Sequence, residues 1–249
     1  MLSYYRYMAD LPHPVSAKTS YEKDIEGHGW PEHCPPIRSA TAYGWDVINP
    51  FEMHFIRDEF EHWMIKEAVE VESDVGLPDG TTPHPQINAW FWEKDQKRPH
   101  VITKNVFDKI KHQVKVSTYL YFQTEAEWMI SIRSIPNLKR TWSTVEALVE
   151  SDWYWPAHPL HGVIELPLDK SIKEVIIKEG EPLFRINPVL RSDFIAEEMS
   201  DEEFAEYFSR GQQWLLENGK KVEGDDVLLT GVYAKEQAAA NFRVKSEES

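Results

Sequence analysis

Cysteine is nearly absent: Cys34 stands alone among 249 residues. No intrachain disulfide can form, so noncovalent packing must hold the fold, as suits a reducing compartment. No run approaches the roughly 20 apolar residues of a membrane span. The first residues lack an apolar core of signal-peptide length, and the expected location is the cytoplasm. Positive charge is scarce, with 27 Lys and Arg against 42 Asp and Glu, a net −15. A field of that sign repels phosphate backbones and anionic headgroups, so neither non-specific nucleic-acid binding nor membrane binding is expected. Also missing are a phosphate-binding glycine loop, a Gly-x-Ser-x-Gly elbow, a dinucleotide fingerprint and a cysteine cluster. ATPases, Rossmann dehydrogenases and α/β-hydrolases are thereby disfavoured.

What is present is apolar and aromatic mass: 41% hydrophobic and 12% aromatic residues, including ten Trp. A chain of this length and composition buries a large core. Thr41, Tyr43, Trp45 and Val47 alternate, which predicts a strand closed by Asn49-Pro50. Residues 60–71 fit either a helix or two strands, and 77–85 (LPDGTTPHP) is turn chemistry. The clearest strand spans 114–122, with Val114, Val116, Thr118, Leu120 and Phe122 on one face. Trp128, Ile130 and Ile132 repeat the pattern after Glu125-Ala126, which predicts an antiparallel hairpin. Further short strands are expected at 162–166, 175–177 and 183–188, with Gly180 free to take a positive φ before Pro182.

Ser200-Asp201-Glu202-Glu203 is a capping box. The helix it opens carries an apolar stripe of Phe204, Tyr207, Phe208, Trp214 and Leu215, and Gly219 is placed for a left-handed cap. The predicted fold is mainly β, α+β by count: one jelly-roll or barrel-like antiparallel domain with a C-terminal helix. Residues 1–36, rich in proline, form an arm packed on the core. Residues 37–220 form the β-rich domain, and 221–249 a C-terminal extension.

Several motifs stand in order along the chain: Pro12-His13-Pro14, His33-Cys34-Pro35-Pro36 before Tyr43-Gly44-Trp45, and Thr124, Trp128 and Ser134-Ile135-Pro136-Asn137. They continue with Glu150-Ser151-Asp152-Trp153, Lys178-Glu179-Gly180-Glu181-Pro182-Leu183 and Asn187-Pro188-Val189-Leu190-Arg191. In order and spacing they resemble a bacterial and phage family known only as a domain of unknown function, with Cys-Pro, Gly-Trp, Glu-Thr-Asp-Trp and Gly-Glu-Pro motifs. The resemblance covers residues 11–219 and implies no reaction. It departs after Trp153, where Pro156, His158, Pro159 and His161 replace a Phe/Thr/Met-Asn-Trp run. A fainter similarity, in topology alone, is to the β-clip fold of dUTPase-like enzymes, through 128–133, Asp152-Trp153-Tyr154, 162–166 and 180–186.

Residues 150–162 (ESDWYWPAHPLHG) concentrate candidate chemistry. Asp152, His158, His161 and Glu165 offer nitrogen and oxygen ligands for a divalent metal. Pro159 disfavours helical geometry at His158. In the structural alternative, which weighs more, Trp153, Trp155 and Pro156 pack the loop and Asp152 caps backbone N–H groups. Cys34 beside His33 reads either as a nucleophile or, more simply, as a small packed side chain. Arg38, Arg133, Arg185 and Arg191 lie in or beside apolar strands. They pair with carboxylates such as Glu150, Asp152 or Glu181, or else clamp a carboxylate or phosphate ligand.

The leading expectation is a small-molecule-binding protein, enzymatic or not, whose pocket gathers the Gly-Trp, Asp-Trp and Gly-Glu-Pro turns. Asp152 would be the acid/base residue, with Arg133 or Arg191 orienting. Trp45, Trp153, Arg191 and Glu181 would contact ligand, and His158 and His161 would hold any metal. The rival is a non-catalytic structural or assembly subunit, phage-encoded. In it the same loops hold the fold and aromatics such as Trp90 and Trp92 are buried between copies of a homo-oligomer.

Overall fold

Short runs with Val, Ile and aromatics at alternate positions each carry one apolar face, and such faces are buried only when several strands share a core. The computed structural model describes residues 2–17, 35–92, 110–154, 159–193, 195–221 and 228–229. The chain divides into two units, Met1–Pro31 with Ile37–Ser192, and Glu32–Pro36 with Asp193–Ser249. The first contains β1 (Leu2–Arg6), β2 (Val15–Ser16), α1 (Pro35–Ala42) from Ile37 onward, β3 (Trp45–Ile48), β4 (Met53–Arg57), β5 (Trp63–Ile65), β6 (Glu70–Val71), β7 (Gln86–Ile87) and β8 (Ala89–Phe91). It continues with β9 (Gln113–Ser117), β10 (Leu120–Thr124), β11 (Trp128–Arg133), β12 (Ser143–Thr144), β13 (Ala147–Val149), β14 (His161–Glu165), β15 (Glu174–Ile177) and β16 (Pro182–Leu190).

All the strand pairs are antiparallel. A five-stranded sheet has the order β13-β11-β16-β3-β2, a four-stranded sheet β12-β14-β9-β8, and a three-stranded sheet β15-β4-β5. Two ribbons, β1-β10 and β6-β7, complete the unit. Val47, Phe55, Val114, Ile130, Ile164, Ile177 and Phe184, drawn from all three larger sheets, are buried in one core. Each such side chain contributes roughly 1.5–3 kcal/mol on burial. The fold is therefore mainly β, as predicted, but its sheets stay separate and none closes into a barrel. At the N-terminus, Tyr7 and Leu11 are buried in a second cluster with Val71 and Tyr119.

Three local expectations are corrected. The alternation at 41–47 is not one strand: residues 35–42 form α1, and Gly44 (φ +99°) turns the chain into β3. A Cβ at Gly44 would overlap the Asn187 side chain and the Ile186 carbonyl. Tertiary contacts override the alternation here. The Arg185 guanidinium is fully buried beneath the end of α1, its Nη1 donating to the carbonyls of Thr41 (2.9 Å) and Tyr43 (3.0 Å) and its Nε to Asp46 (2.5 Å).

The expected strand over 114–122 breaks at Tyr119, which takes a φ of 54°. The Thr118 hydroxyl donates to the Leu160 carbonyl (2.7 Å) and accepts from Leu120 N (3.1 Å), while Ser117 Oγ accepts from Tyr119 N (3.2 Å). Two short polar side chains thus satisfy backbone groups that the ladder abandons, and the alternation changes face. The expected hairpin between 114–122 and 128–132 has no ladder: only a tight turn joins β10 to β11. β10 pairs with β1, while β11 pairs with β13 and β16.

The second unit contains α2 (Asp201–Asn218), β17 (Lys220–Lys221) and β18 (Leu228–Leu229). The capping box forms: Ser200 Oγ accepts from Glu203 N (3.3 Å), and Glu203 Oε2 accepts from Ser200 N (2.8 Å). The helix ends at Gly219 as predicted, but Gly219 is extended (φ −78°, ψ 151°) rather than left-handed. Its N–H still reaches the Leu215 carbonyl (2.7 Å).

Candidate functional site

The turn after β13 is built from its own hydrogen bonds. Trp153 N and Tyr154 N both donate to the Glu150 carbonyl, at 3.3 and 2.9 Å. Ser151 is buried, and its hydroxyl lies 2.8 Å from Thr124 Oγ1, which also reaches the Trp128 carbonyl (2.6 Å). Thr124 thereby ties the 150–154 turn to the tight turn between β10 and β11.

Asp152 completes the tie. Its Oδ2 accepts from Glu127 N (3.1 Å) and its Oδ1 from Arg191 Nη2 (2.5 Å). The Arg191 backbone N–H donates in turn to the Glu127 carbonyl (2.6 Å), and its guanidinium stands 3.9 Å from Glu150. The Asp152 side chain is 8% exposed and that of Arg191 38%. Glu127 sits at a φ of 69°, a conformation held by these contacts on both of its backbone groups. Asp152, Arg191, Glu150 and Glu127 form a clasp, which is the pairing of arginine with Asp152 and Glu150 that the sequence suggested.

Beside this clasp lies a cleft of about 410 Å³. Ser3, Tyr4 and Tyr5 of β1 line it with Tyr121, Phe122 and Gln123 of β10. Ile130, Val149, Ser151, Tyr154 and Leu160 supply the opposite wall. The clasp thus faces two ways: Ser151 and Tyr154 point into the cleft, and Asp152 between them anchors the turn. Trp153 is 58% exposed, with its ring set edge-on to Tyr154 at 6.0 Å. Next to the lining, the Tyr4 hydroxyl bonds His13 Nδ1 (2.7 Å). Burial raises the Tyr121 hydroxyl above its ordinary pKa, so that side chain stays neutral over the working range.

The other expected site residues are not brought here. Arg133 lies directly across from Arg185, five residues along β11 from Trp128, or roughly 17 Å from the clasp end of the strand. Its Nε is buried without a hydrogen-bond partner among the described residues. Of the two arginines expected to orient Asp152, Arg191 stands beside it and Arg133 does not. Glu181 stands just before the nine-residue β16, Arg191 just after it, and about 30 Å of strand separates them. Glu181 belongs to a turn in which Gly180 takes a φ of +81°. Asn49 Nδ2 clamps that turn through the carbonyls of Ile177 (3.1 Å) and Lys178 (3.0 Å). Glu181 and Asp46 oppose the desolvation that brings Arg140 down to about 10. Trp45 is half-buried against the main core. The expected single pocket joining the Gly-Trp, Asp-Trp and Gly-Glu-Pro turns therefore does not form.

His161 turns from β14 toward Gln86 (Nε2 to Oε1, 3.3 Å), edge-on to the Trp90 ring at 4.8 Å. His158, Cys34 and Trp155 lie outside the described residues. Among the described residues no cluster of three His, Cys, Asp or Glu is arranged to hold a metal ion, and no helix is long and apolar enough to cross a membrane.

The tyrosines of the cleft escaped the sequence reading. Tyr4 and Tyr5 lay in a segment read as an arm, and Tyr121 on the outer face of a supposedly single strand. Only the pairing of β1 with β10, Tyr5 opposite Tyr121 and Tyr4 opposite Phe122, brings them together. No protein-family model matches the chain, and no curated protein matches it.

Proposed function

We propose that the protein binds a small molecule in the cleft between the β1-β10 ribbon and the wall formed by β11, β13 and the 150–154 turn. The observation that carries this reading is the cleft itself: about 410 Å³, predominantly apolar and aromatic, with a few polar groups at its edge. Those are the usual size and chemistry of ligand pockets. Asp152 and Arg191 act in this reading as positioning residues, holding Ser151 and Tyr154 against the cleft, and Trp153 shapes its mouth. The reading is one of binding. Ser151 Oγ is engaged by Thr124 Oγ1, an arrangement that favours a structural hydroxyl over a nucleophile.

The test is a thermal-shift and NMR screen of ring-containing small molecules against the wild-type chain, Tyr154→Ala and Arg191→Ala. A ligand at 100 times its Kd stabilises the folded state by about 2.7 kcal/mol. Binding weakened at least tenfold by Tyr154→Ala, and more weakly by Arg191→Ala, is the expected result. A ligand whose stabilisation survives Tyr154→Ala unchanged would place binding elsewhere.

A further inference from the structure

We infer that the cleft selects an aromatic ring that carries no negative charge; this rests on the cleft being the binding site, as proposed above. Among the described residues its lining contains no charged side chain: Ser3, Gln123 and Ser151 are the polar members besides the tyrosine hydroxyls. The Arg191 guanidinium beside the 150–154 turn is engaged by Asp152 at 2.5 Å and flanked by Glu150. A carboxylate or phosphate entering the cleft would lose water and gain no free cation. Desolvating a charge without a partner strongly opposes binding. The net −15 of the chain adds a repulsive field for anions. The same field and the aromatic faces do not disfavour a cation, so the selection is against negative charge.

Shape and polarity then separate a planar ring from a polyhydroxylated one. Tyr4, Tyr5, Tyr121, Phe122 and Tyr154 offer ring faces and edges, and Ile130, Val149 and Leu160 offer methyl groups. Stacking against such rings favours a flat aromatic ligand. A sugar brings several hydroxyls, each needing a partner, and an unmatched buried hydroxyl opposes binding. The lining cannot satisfy many, because Ser151 Oγ already bonds Thr124 Oγ1 at 2.8 Å. One or two polar substituents on a flat ring match Ser3, Gln123 and the tyrosine hydroxyls.

The experiment compares benzamide, benzoate and methyl β-glucoside, each titrated into isotope-labelled full-length protein at low millimolar concentration. The readout is the ring resonances of Tyr121 and Tyr154, with Trp45 as a remote control. Benzamide is expected to shift both tyrosines saturably, with benzoate at least tenfold weaker and the glucoside without effect. In Tyr154→Ala the Tyr121 shift from benzamide should fall at least fivefold. Benzoate binding as well as benzamide, or the glucoside binding in its place, overturns the selectivity while leaving the cleft as a site. Tyrosine resonances that no probe moves would overturn the selectivity and the site together; shifts confined to other residues would show that the ring binds outside this cleft.

Discussion

Replacing Arg185 by leucine isolates the most concentrated electrostatic arrangement in the fold. Both Arg185 and Asp46 side chains are fully buried, with Nε and Oδ1 2.5 Å apart. The guanidinium also holds the carbonyls of Thr41 and Tyr43 at the C-terminal end of α1, where the helix dipole favours a cation. Arg185→Leu takes from the buried Asp46 carboxylate its partner at 2.5 Å and removes a charged donor from two carbonyls. Breaking a buried pair from one side costs roughly 3–5 kcal/mol. At about 2–4 °C per kcal/mol for a chain of this size, the melting temperature should drop by roughly 6–20 °C. Asp46→Leu should fall in the same range, because it strands the guanidinium instead. The Arg185→Leu/Asp46→Leu double variant should cost less than the sum of the singles by at least about 1.5 kcal/mol, since no charge is left unpaired. Urea denaturation followed by tryptophan fluorescence measures all three, and added salt should change little because water does not reach the pair. Single variants costing under about 1 kcal/mol, or strictly additive losses, would refute the reasoning.

Gly44→Ala should destabilise by roughly 2–6 kcal/mol, combining a φ of +99° with overlap against the Ile186 carbonyl; denaturant midpoints measure it, and a loss within 0.5 kcal/mol contradicts the close approach. Ser200→Ala removes the acceptor for Glu203 N and should cost the first turn of α2 about 1 kcal/mol, seen as roughly fivefold faster amide exchange at residues 202–204. Glu165 is held below its ordinary value of 4.5 by hydrogen bonds from Gln113 first and then His112 and Ser143. A depressed folded-state pKa stabilises above the unfolded value and loses that stabilisation as pH falls through the folded one. The wild type should therefore lead Glu165→Gln at pH 6 and lose that lead below about 4.5, read from urea midpoints across pH 3–7; a lead that persists at pH 3 contradicts the carboxylate's role.

Much of the secondary structure was legible because its signals are local. The Ser200 capping box needs only four residues, and the Gly180 turn needs a glycine before Glu-Pro. The strands at 161–165, 174–177 and 182–190 follow from apolar alternation between turn residues. The 41–47 segment misled because helix and strand both fit a mixed apolar pattern, and the deciding group, Arg185, is more than 140 residues away in sequence. The 114–122 segment misled because nothing local announces that Tyr119 will adopt a positive φ. The 150–154 turn drew notice through its composition, and its clasp with Arg191 agrees with the charge pairing that the sequence suggested. The cleft beside it was invisible, because Tyr4 and Tyr121 are brought together by strand pairing alone.

The amino-acid order by itself determined a mainly β chain without an intrachain disulfide, its principal turns and a long capped helix, since each rests on periodicity, on a lone cysteine or on residues a few positions apart. Tertiary structure alone decided which strands pair, that α1 replaces a strand, that Asp152 meets Arg191 rather than Arg133, and that tyrosines of β1 and β10 enclose a cleft. The physical reason is that strand partnership and buried charge pairing are settled by competition among distant segments for one core, and no local pattern records the outcome of that competition.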